Sequence, residues 1–321
     1  MASLADPGRK KITKHSATWA LAEIGDRWSF IIISVAFIGT RRFEDFLKRT
    51  GSARSTLTTR LRRLEACGIL KRRPYQQAPL REEYFLTQKG LELYPQVMMS
   101  WVWERKWGVP YEAIASELVH KTCGHAFTPR LECGHCHQDV TASTCRILPG
   151  PGAGTEDAPQ TRIMRRLNNN STAMPKDGIP SQIADIVGDR WTALTISTQF
   201  YGLHKFAEIQ NAIGIAANIL TDRLKILEAN DVLERKPYQS HPPRYDYRLT
   251  EKGKDIFPIS VTVTHWADRW IAVPGMPPHI LHHKTCGHEL KPQLICNVCK
   301  TTLHPKDVEF KTINALSLLK K

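Results

Sequence analysis

Apolar positions in the first third of the chain fall at helical spacing, broken at regular points by polar turns. Residues 15–39 carry apolar side chains at mixed helical spacing, interrupted by Gly25. Residues 42–49 read as a short helix with Phe43, Phe46 and Leu47 on one stripe, because positions three and four apart share a helix face. Gly51 and Ser52 make a turn. Residues 54–67 form a longer amphipathic helix with Leu57, Leu61 and Leu64 turned inward. Gly68 suits its end, since glycine accepts the left-handed backbone of a C-terminal cap. Residues 69–73 and 82–86 flank a polar turn at 76–79 and predict a hairpin of two short strands. Thr87 then caps a final helix that holds Leu91, Val97, Met98, Trp101 and Trp103.

The same pattern is written again at an offset of 163 residues. Gly25-Asp26-Arg27-Trp28 recurs as Gly188-Asp189-Arg190-Trp191, and Leu64-Glu65-Ala66 as Leu227-Glu228-Ala229. Pro74-Tyr75-Gln76 returns as Pro237-Tyr238-Gln239, Trp103 and Trp107 as Trp266 and Trp270, and Cys123, Cys133 and Cys136 as Cys286, Cys296 and Cys299. No gap is needed, so the chain is a tandem duplication. The expected class is α+β, mainly α: two winged helix-turn-helix domains, at 12–112 and 179–275, each followed by a small zinc-binding ribbon-like module, at 118–145 and 281–310. Residues 146–178, rich in Gly, Pro, Asn and Ser, read as a linker with room for one helical turn at 161–167.

Composition adds a partner class. Among 321 residues, 45 Lys and Arg face 31 Asp and Glu, a formal charge of +14, which favours polyanions without specifying a fold. The excess is uneven: residues 41–90 hold 13 basic and five acidic residues, whereas 204–253 hold eight and seven. No apolar run nears the roughly 18 residues of a membrane span, and the N-terminus lacks the apolar core of a secretion signal. A cytoplasmic location, with no membrane partner, is the default expectation.

The blocks GDRW, RFEDF, LTTRLRRLEACGILKRRPY and REEYFLTQKG, in that order, closely resemble the HxlR-type winged helix transcription regulators of bacteria. The second copy shows them as GDRW, HKFAEI, LTDRLKILEANDVLERKPY and RYDYRLTEKG. The resemblance covers about 90 residues of each half. It implies sequence-specific binding of double-stranded DNA as a dimer, one winged module per half-site. This chain departs from the pattern by joining two modules covalently and by adding a cysteine-rich tail to each. It also has no cysteine before Trp28 or Trp191, so the thiol sensing of some family members is not carried over.

A recognition helix presents its N-terminal part to base edges in the major groove. In the first copy that selects Ser52, Arg54, Ser55, Thr56, Thr59 and Arg60, with Arg63, Arg72, Arg73 and Arg81 as phosphate or minor-groove contacts at the helix end and wing. In the second copy the set is Asn218, Arg223, Lys225, Arg235, Lys236 and Arg244, while Ala217 stands for Arg54 and Ile226 for Arg63. The two modules are expected to read unlike half-sites, the first supplying most of the phosphate attraction. The tryptophan-bearing helices read as a core or a module interface. Either an intramolecular pseudo-dimer or a homodimer of whole chains satisfies the pattern, and no small-molecule effector is specified.

The cysteines suggest metal rather than disulfides. Each copy offers Cys-x-His followed by Cys-x-x-Cys: Cys123, His125, Cys133 and Cys136, then Cys286, His288, Cys296 and Cys299. Three sulfurs and an imidazole suit a tetrahedral structural zinc, giving two Zn2+ per chain. The repeated His120 and His283 compete with His125 and His288 for the fourth position. Cys145, at the edge of the linker, reads as a free thiol. No nucleophile–base arrangement repeats beside either cluster, so an enzyme is not expected. The leading reading is a DNA-binding transcriptional regulator, and the alternative is a protein-interaction or assembly module.

Overall fold

A computed structural model describes residues 11–78, 80–108, 116–157 and 181–312. After a short strand, β1 (Lys11–Thr13), the first copy folds as α1 (Ser16–Ile24), α2 (Arg27–Phe37), α3 (Phe43–Thr50) and α4 (Arg54–Ala66). The wing strands β2 (Leu70–Gln76) and β3 (Arg81–Leu86) follow, then α5 (Gln88–Leu91) and α6 (Tyr94–Trp107). The second copy repeats this as α7 (Gln182–Val187), α8 (Arg190–Phe200), α9 (Phe206–Ile213), α10 (Ala217–Ala229), β8 (Leu233–Gln239), β9 (Arg244–Leu249), α11 (Glu251–Lys254) and α12 (Phe257–Trp270). Between and after these lie β4 (Ser116–His120), β5 (Pro129–Cys133), β6 (Cys145–Pro149), β7 (Thr155–Asp157), β10 (His279–His283), β11 (Pro292–Cys296) and β12 (Val308–Thr312).

Local chemistry sets these boundaries. The stretch 15–39 divides into α1 and α2 because Asp26 caps the second helix, its carboxylate accepting from the amides of Trp28 and Ser29 at 3.2 and 3.1 Å. Asp189 does the same for Thr192 at 2.9 Å. The helix-turn-helix corner needs a left-handed residue, supplied by Gly51 (φ 64°) and Gly214 (φ 70°). The helix expected from Thr87 onward is two helices instead. Thr87 caps α5, and Pro95 in the first turn of α6 has no amide to continue the earlier helix. Leu57, Leu61 and Leu64 are wholly buried, as are Leu220 and Leu227, so the inward stripe of the longer helix lies where its spacing placed it.

Part of the predicted linker is structured. Residues 145–149 and 155–157 are strands; residues 158–178, including the suggested turn at 161–167, lie outside the described residues. Moreover, the cysteine-rich tails do not close on themselves. Strand β5 pairs with β11 antiparallel, with Leu131 opposite Leu294. Strand β4 pairs with β12, and β10 with β6. Each of these sheets takes one strand from each copy, so the tails form one joint body.

The winged domains meet through reciprocal contacts about a pseudo-two-fold axis. Helix α12 packs on α1 and α6. Trp103 Nε1 donates to the Lys252 carbonyl at 3.0 Å, and its repeat partner Trp266 donates to the Lys89 carbonyl at 2.9 Å. Trp107 reaches Asp255 at 2.7 Å and Trp270 reaches Glu92 at 2.8 Å. Asp26 and Asp189 form an antiparallel backbone bridge on the axis. There the approach is so close that a Cβ on Gly188 would lie 2.6 Å from the Arg27 Cα. The two copies within one chain are thus packed as a pseudo-dimer.

Some contacts have no counterpart in the repeat, and one of them buries a titratable group. His15, from the first copy, packs against Tyr201 and His279 of the second with ring centroids 4.3 and 4.9 Å away. Burial, with His279 adding to it, pushes His15 down to about 3. A neutral folded histidine contributes stability that is full above the unfolded value of about 6.5 and is lost as pH falls toward 3, at about 1.4 kcal/mol per pH unit. Buried Asp268, raised to about 6 by desolvation, acts in the opposite sense: its contribution is present at low pH and lost as pH rises toward 6. The thermal midpoint of wild type relative to that of His15→Phe should therefore fall between pH 6.5 and 4.5. A difference independent of pH in scanning calorimetry would remove His15 as the acid-sensitive group.

Candidate nucleic-acid interface and metal centres

Helices α4 and α10 follow the glycine corner, and their N-terminal turns are at the surface. Arg54, Ser55 and Thr59 are exposed, Thr56 is half-buried, and Asn218, Lys225, Arg235, Lys236 and Arg244 are exposed in the second copy. In the wing, Arg72, Arg73 and Arg81 are exposed. Arg73 lies over Phe85, while Arg72 is held by Glu65 at 2.7 Å and Glu82 at 2.8 Å. Each wing is fastened to the strand-like segment before α3 or α9: Tyr84 N donates to Arg41 O at 2.8 Å, and Tyr247 N to His204 O at 2.9 Å. Arg54 pairs with Glu44 at 2.9 Å, both exposed, an arrangement of little net worth that a phosphate could replace.

Several residues selected from the sequence are turned elsewhere. Arg60 is buried and its Nε sits 3.1 Å from Asp26. Its partner in the repeat, Arg223, reaches Asp189 at 2.7 and 3.1 Å. These arginines face the capping carboxylates because the inward leucine stripe places their positions on the core side of the helix. Ser52 is also buried, sharing a 2.9 Å hydrogen bond with Thr50, and Arg63 donates to the Ala22 carbonyl. Arg62, by contrast, was not among the selected residues. It is exposed beside them, at the position that Lys225 fills in the second copy; the signal was present in the repeat alignment.

The cysteines assemble in sets that cut across the repeat. His120, Cys123, Cys296 and Cys299 form one cluster; Cys133, Cys136, His283 and Cys286 form the other, with the donor atoms of each within 4.8 Å of one another. His125 and His288 are exposed and outside both, which corrects the within-copy assignment. The reason lies in the strands. Cys123 follows the end of β4 in a turn where the Cys123 and Gly124 amides both donate to His120 O, at 3.2 and 2.7 Å. That turn puts His-x-x-Cys on one side. The pairing of β5 with β11 then brings each Cys-x-x-Cys knuckle beside the other copy's turn, as the Thr128 amide bonded to Asn297 Oδ1 at 2.9 Å shows.

The distances fit a tetrahedral ion. With metal–sulfur and metal–nitrogen lengths near 2.3 and 2.0 Å, tetrahedral donors stand about 3.8 Å apart for two sulfurs and about 3.5 Å for sulfur and nitrogen. His120 Nδ1 lies 3.5 Å from Cys123 Sγ and 3.3 Å from Cys299 Sγ. His283 Nδ1 lies 3.2 Å from Cys136 Sγ and 3.7 Å from Cys286 Sγ, and the Cys133 and Cys286 sulfurs are 3.9 Å apart. His283 Nε2 faces the Asp139 carbonyl at 3.3 Å, the second contact that fixes which nitrogen of a ligating histidine remains free for metal. Hydrogen bonds from the Thr301 side chain and backbone hold the Cys299 thiol down at about 6. Cys145, in contrast, is buried in β6, and desolvation pushes its thiol up to about 11. It is a packed residue, not a reactive one.

No helix among the described residues is long and apolar enough to cross a membrane. The HxlR-like helix-turn-helix family matches residues 23–111 and 186–274, more than half of the chain. An uncharacterized HTH-type transcriptional regulator of Mycobacterium tuberculosis is 37% identical over 124 residues, covering 39% of this chain and 78% of the relative. The HTH-type transcriptional regulator YodB of Bacillus subtilis is 35% identical over 86 residues, covering 26% of this chain and 77% of the relative. The solved structure of reduced YodB is 34% identical and covers 27% of this chain and 86% of that one, with a TM-score of 0.25. The chain therefore belongs to the HxlR-like helix-turn-helix family of DNA-binding transcriptional regulators, which are not enzymes, and it carries two such domains in tandem, each beside a Cys/His cluster.

Proposed function

We propose that the chain is a sequence-specific regulator that reads two unlike half-sites on double-stranded DNA, one with α4 and its wing and the other with α10 and its wing. Two structural Zn2+ ions would complete it. The carrying observation is the exposed N-terminal turn of each recognition helix beside a basic wing, on a helix-turn-helix of a DNA-binding family. Arg54, Ser55, Thr56 and Thr59 would meet base edges and phosphates at one half-site; Asn218 and Lys225 would do so at the other. Arg73, Arg81 and Arg62 would add phosphate contacts in the first copy, and Arg235, Lys236 and Arg244 in the second. Arg60 and Arg223 leave the contact set and act by holding the helices. Selection of bound DNA from a random duplex library with the metal-loaded protein tests this. An enriched motif with two unequal halves is expected; no enriched motif, with a stable protein partner instead, would favour an assembly factor.

Salt dependence separates the copies. Each phosphate contact contributes about −0.9 to the slope of log affinity against log salt. Arg73→Ala should flatten that slope by about 1 and weaken unlike sequences to similar extents. The repeat-related Lys236→Ala should change it less, because residues 204–253 hold eight basic and seven acidic residues against 13 and five in 41–90, which leaves the second wing a weaker field for phosphate. Equal flattening by the two variants would contradict the proposed dominance of the first copy.

A further inference from the structure

We propose that the two metal sites are reciprocal clasps between the copies, and that metal occupancy is what keeps the two recognition helices in one fixed geometry. Each cluster takes His-x-x-Cys from one copy and Cys-x-x-Cys from the other. A single ion at either site is therefore a cross-link between the halves, and neither half holds a complete site of this geometry by itself.

The joint body needs such a link. It consists of two-stranded sheets whose buried apolar side chains, among them Leu118, Leu131, Val140, Leu294, Leu303 and Val308, are few beside those of the winged domains. Bodies of this size seldom bury enough apolar surface to fold without a metal or disulfides. The described cysteines form no disulfide. His120 and His283 are 1% and 0% exposed, so without an ion each cluster would bury an imidazole among thiols that cannot fully satisfy it. Where a site does not preexist in the unfolded chain, metal binding free energy becomes folding free energy. Here the segment that folds is the one that joins the copies. It adjoins α6 and α12, which carry the tryptophans of the interface and pack on β5 and β11.

Metal counting distinguishes shared from within-copy sites. The full chain, treated with a competing chelator and assayed for zinc by mass spectrometry, should hold two ions. Cys123→Ser with Cys299→Ser removes two ligands of one shared site and should leave one ion. Cys123→Ser with Cys133→Ser strikes both sites and should leave none. Within-copy sites give the reverse, none and one, and that result would overturn the proposal. The mirror pairs, Cys286→Ser with Cys136→Ser and Cys286→Ser with Cys296→Ser, give a second count in case one variant fails to fold.

The regulatory part rests on the two-half-site reading above. On a duplex carrying both selected half-sites, stripping the metal should lower affinity at least ~10-fold, because rigidly paired modules gain their avidity from fixed geometry. On a single half-site the change should stay within ~3-fold, because each winged domain keeps its own core. Equal losses on both duplexes, or no loss on either, would overturn the coupling. Failure of the metal-loaded protein to bind any duplex would count against the DNA reading instead and leave the metal counts standing.

Discussion

Arg60→Ala should destabilise the first winged domain by about 2–4 kcal/mol, several times what loss of a surface charge costs. The Arg60 and Asp26 side chains are only 11% and 18% exposed, so removing the guanidinium leaves a carboxylate held by the Trp28 and Ser29 amides and the Ser29 hydroxyl, without its counter-charge. The effect stays below that of a fully buried pair because water reaches part of Asp26. The consequence extends past α4. Asp26 caps α2 and its backbone bridges to Asp189, which is gripped by Arg223 of the other recognition helix. The pair of arginines therefore ties both recognition helices to the axis between the copies. Chemical unfolding of Arg60→Ala, beside the double variant Arg60→Met with Asp26→Ser, measures this. Serine keeps the cap and methionine fills the volume, so the double variant should recover much of the loss. A cost under about 0.5 kcal/mol for Arg60→Ala, typical of an exposed residue, would refute the positioning role.

Trp103→Ala and Trp266→Ala should each cost about 3–5 kcal/mol, the range for emptying a large buried aromatic site. Both rings are 2% exposed. Each also leaves a carbonyl of the opposite copy, Lys252 or Lys89, without its indole donor. Because the contacts are reciprocal, the two losses should be similar, and they should couple in a double-mutant cycle through the shared interface. Trp101→Ala is the control: Trp101 is half-buried and its repeat position is Thr264, so the site already tolerates a small residue in the other half. Near-identical losses for Trp101 and Trp103 would show that these rings do not anchor the packing of the copies.

Much of this was legible because the chain is written twice. The offset alone revealed two domains, and periodicity located the leucine stripe and the hairpin. Two things were hidden. The side of the helix on which Arg60 and Arg223 fall follows from the same stripe, but an arginine in a recognition helix reads first as a ligand of DNA. The capping aspartates that claim them lie 34 residues earlier in each copy. The metal ligands were hidden by the repeat itself. Two copies of one motif give four half-sites, and spacing along the chain is the same whether each motif closes on itself or on its twin. Only the strand pairings, β4 with β12 and β5 with β11, distinguish the two closures. Burial, which spacing does not report, then chooses His120 over His125.

The duplication also changes how the interface responds to dilution. A homodimer separates as its concentration falls, and its thermal midpoint drops with it. Here both sides of the Trp103–Trp266 interface belong to one polypeptide, so the partner's local concentration is set by the chain and not by the amount of protein. As far as this interface sets it, the midpoint should hold steady over dilution. A handful of molecules would then be as fully paired as a concentrated solution.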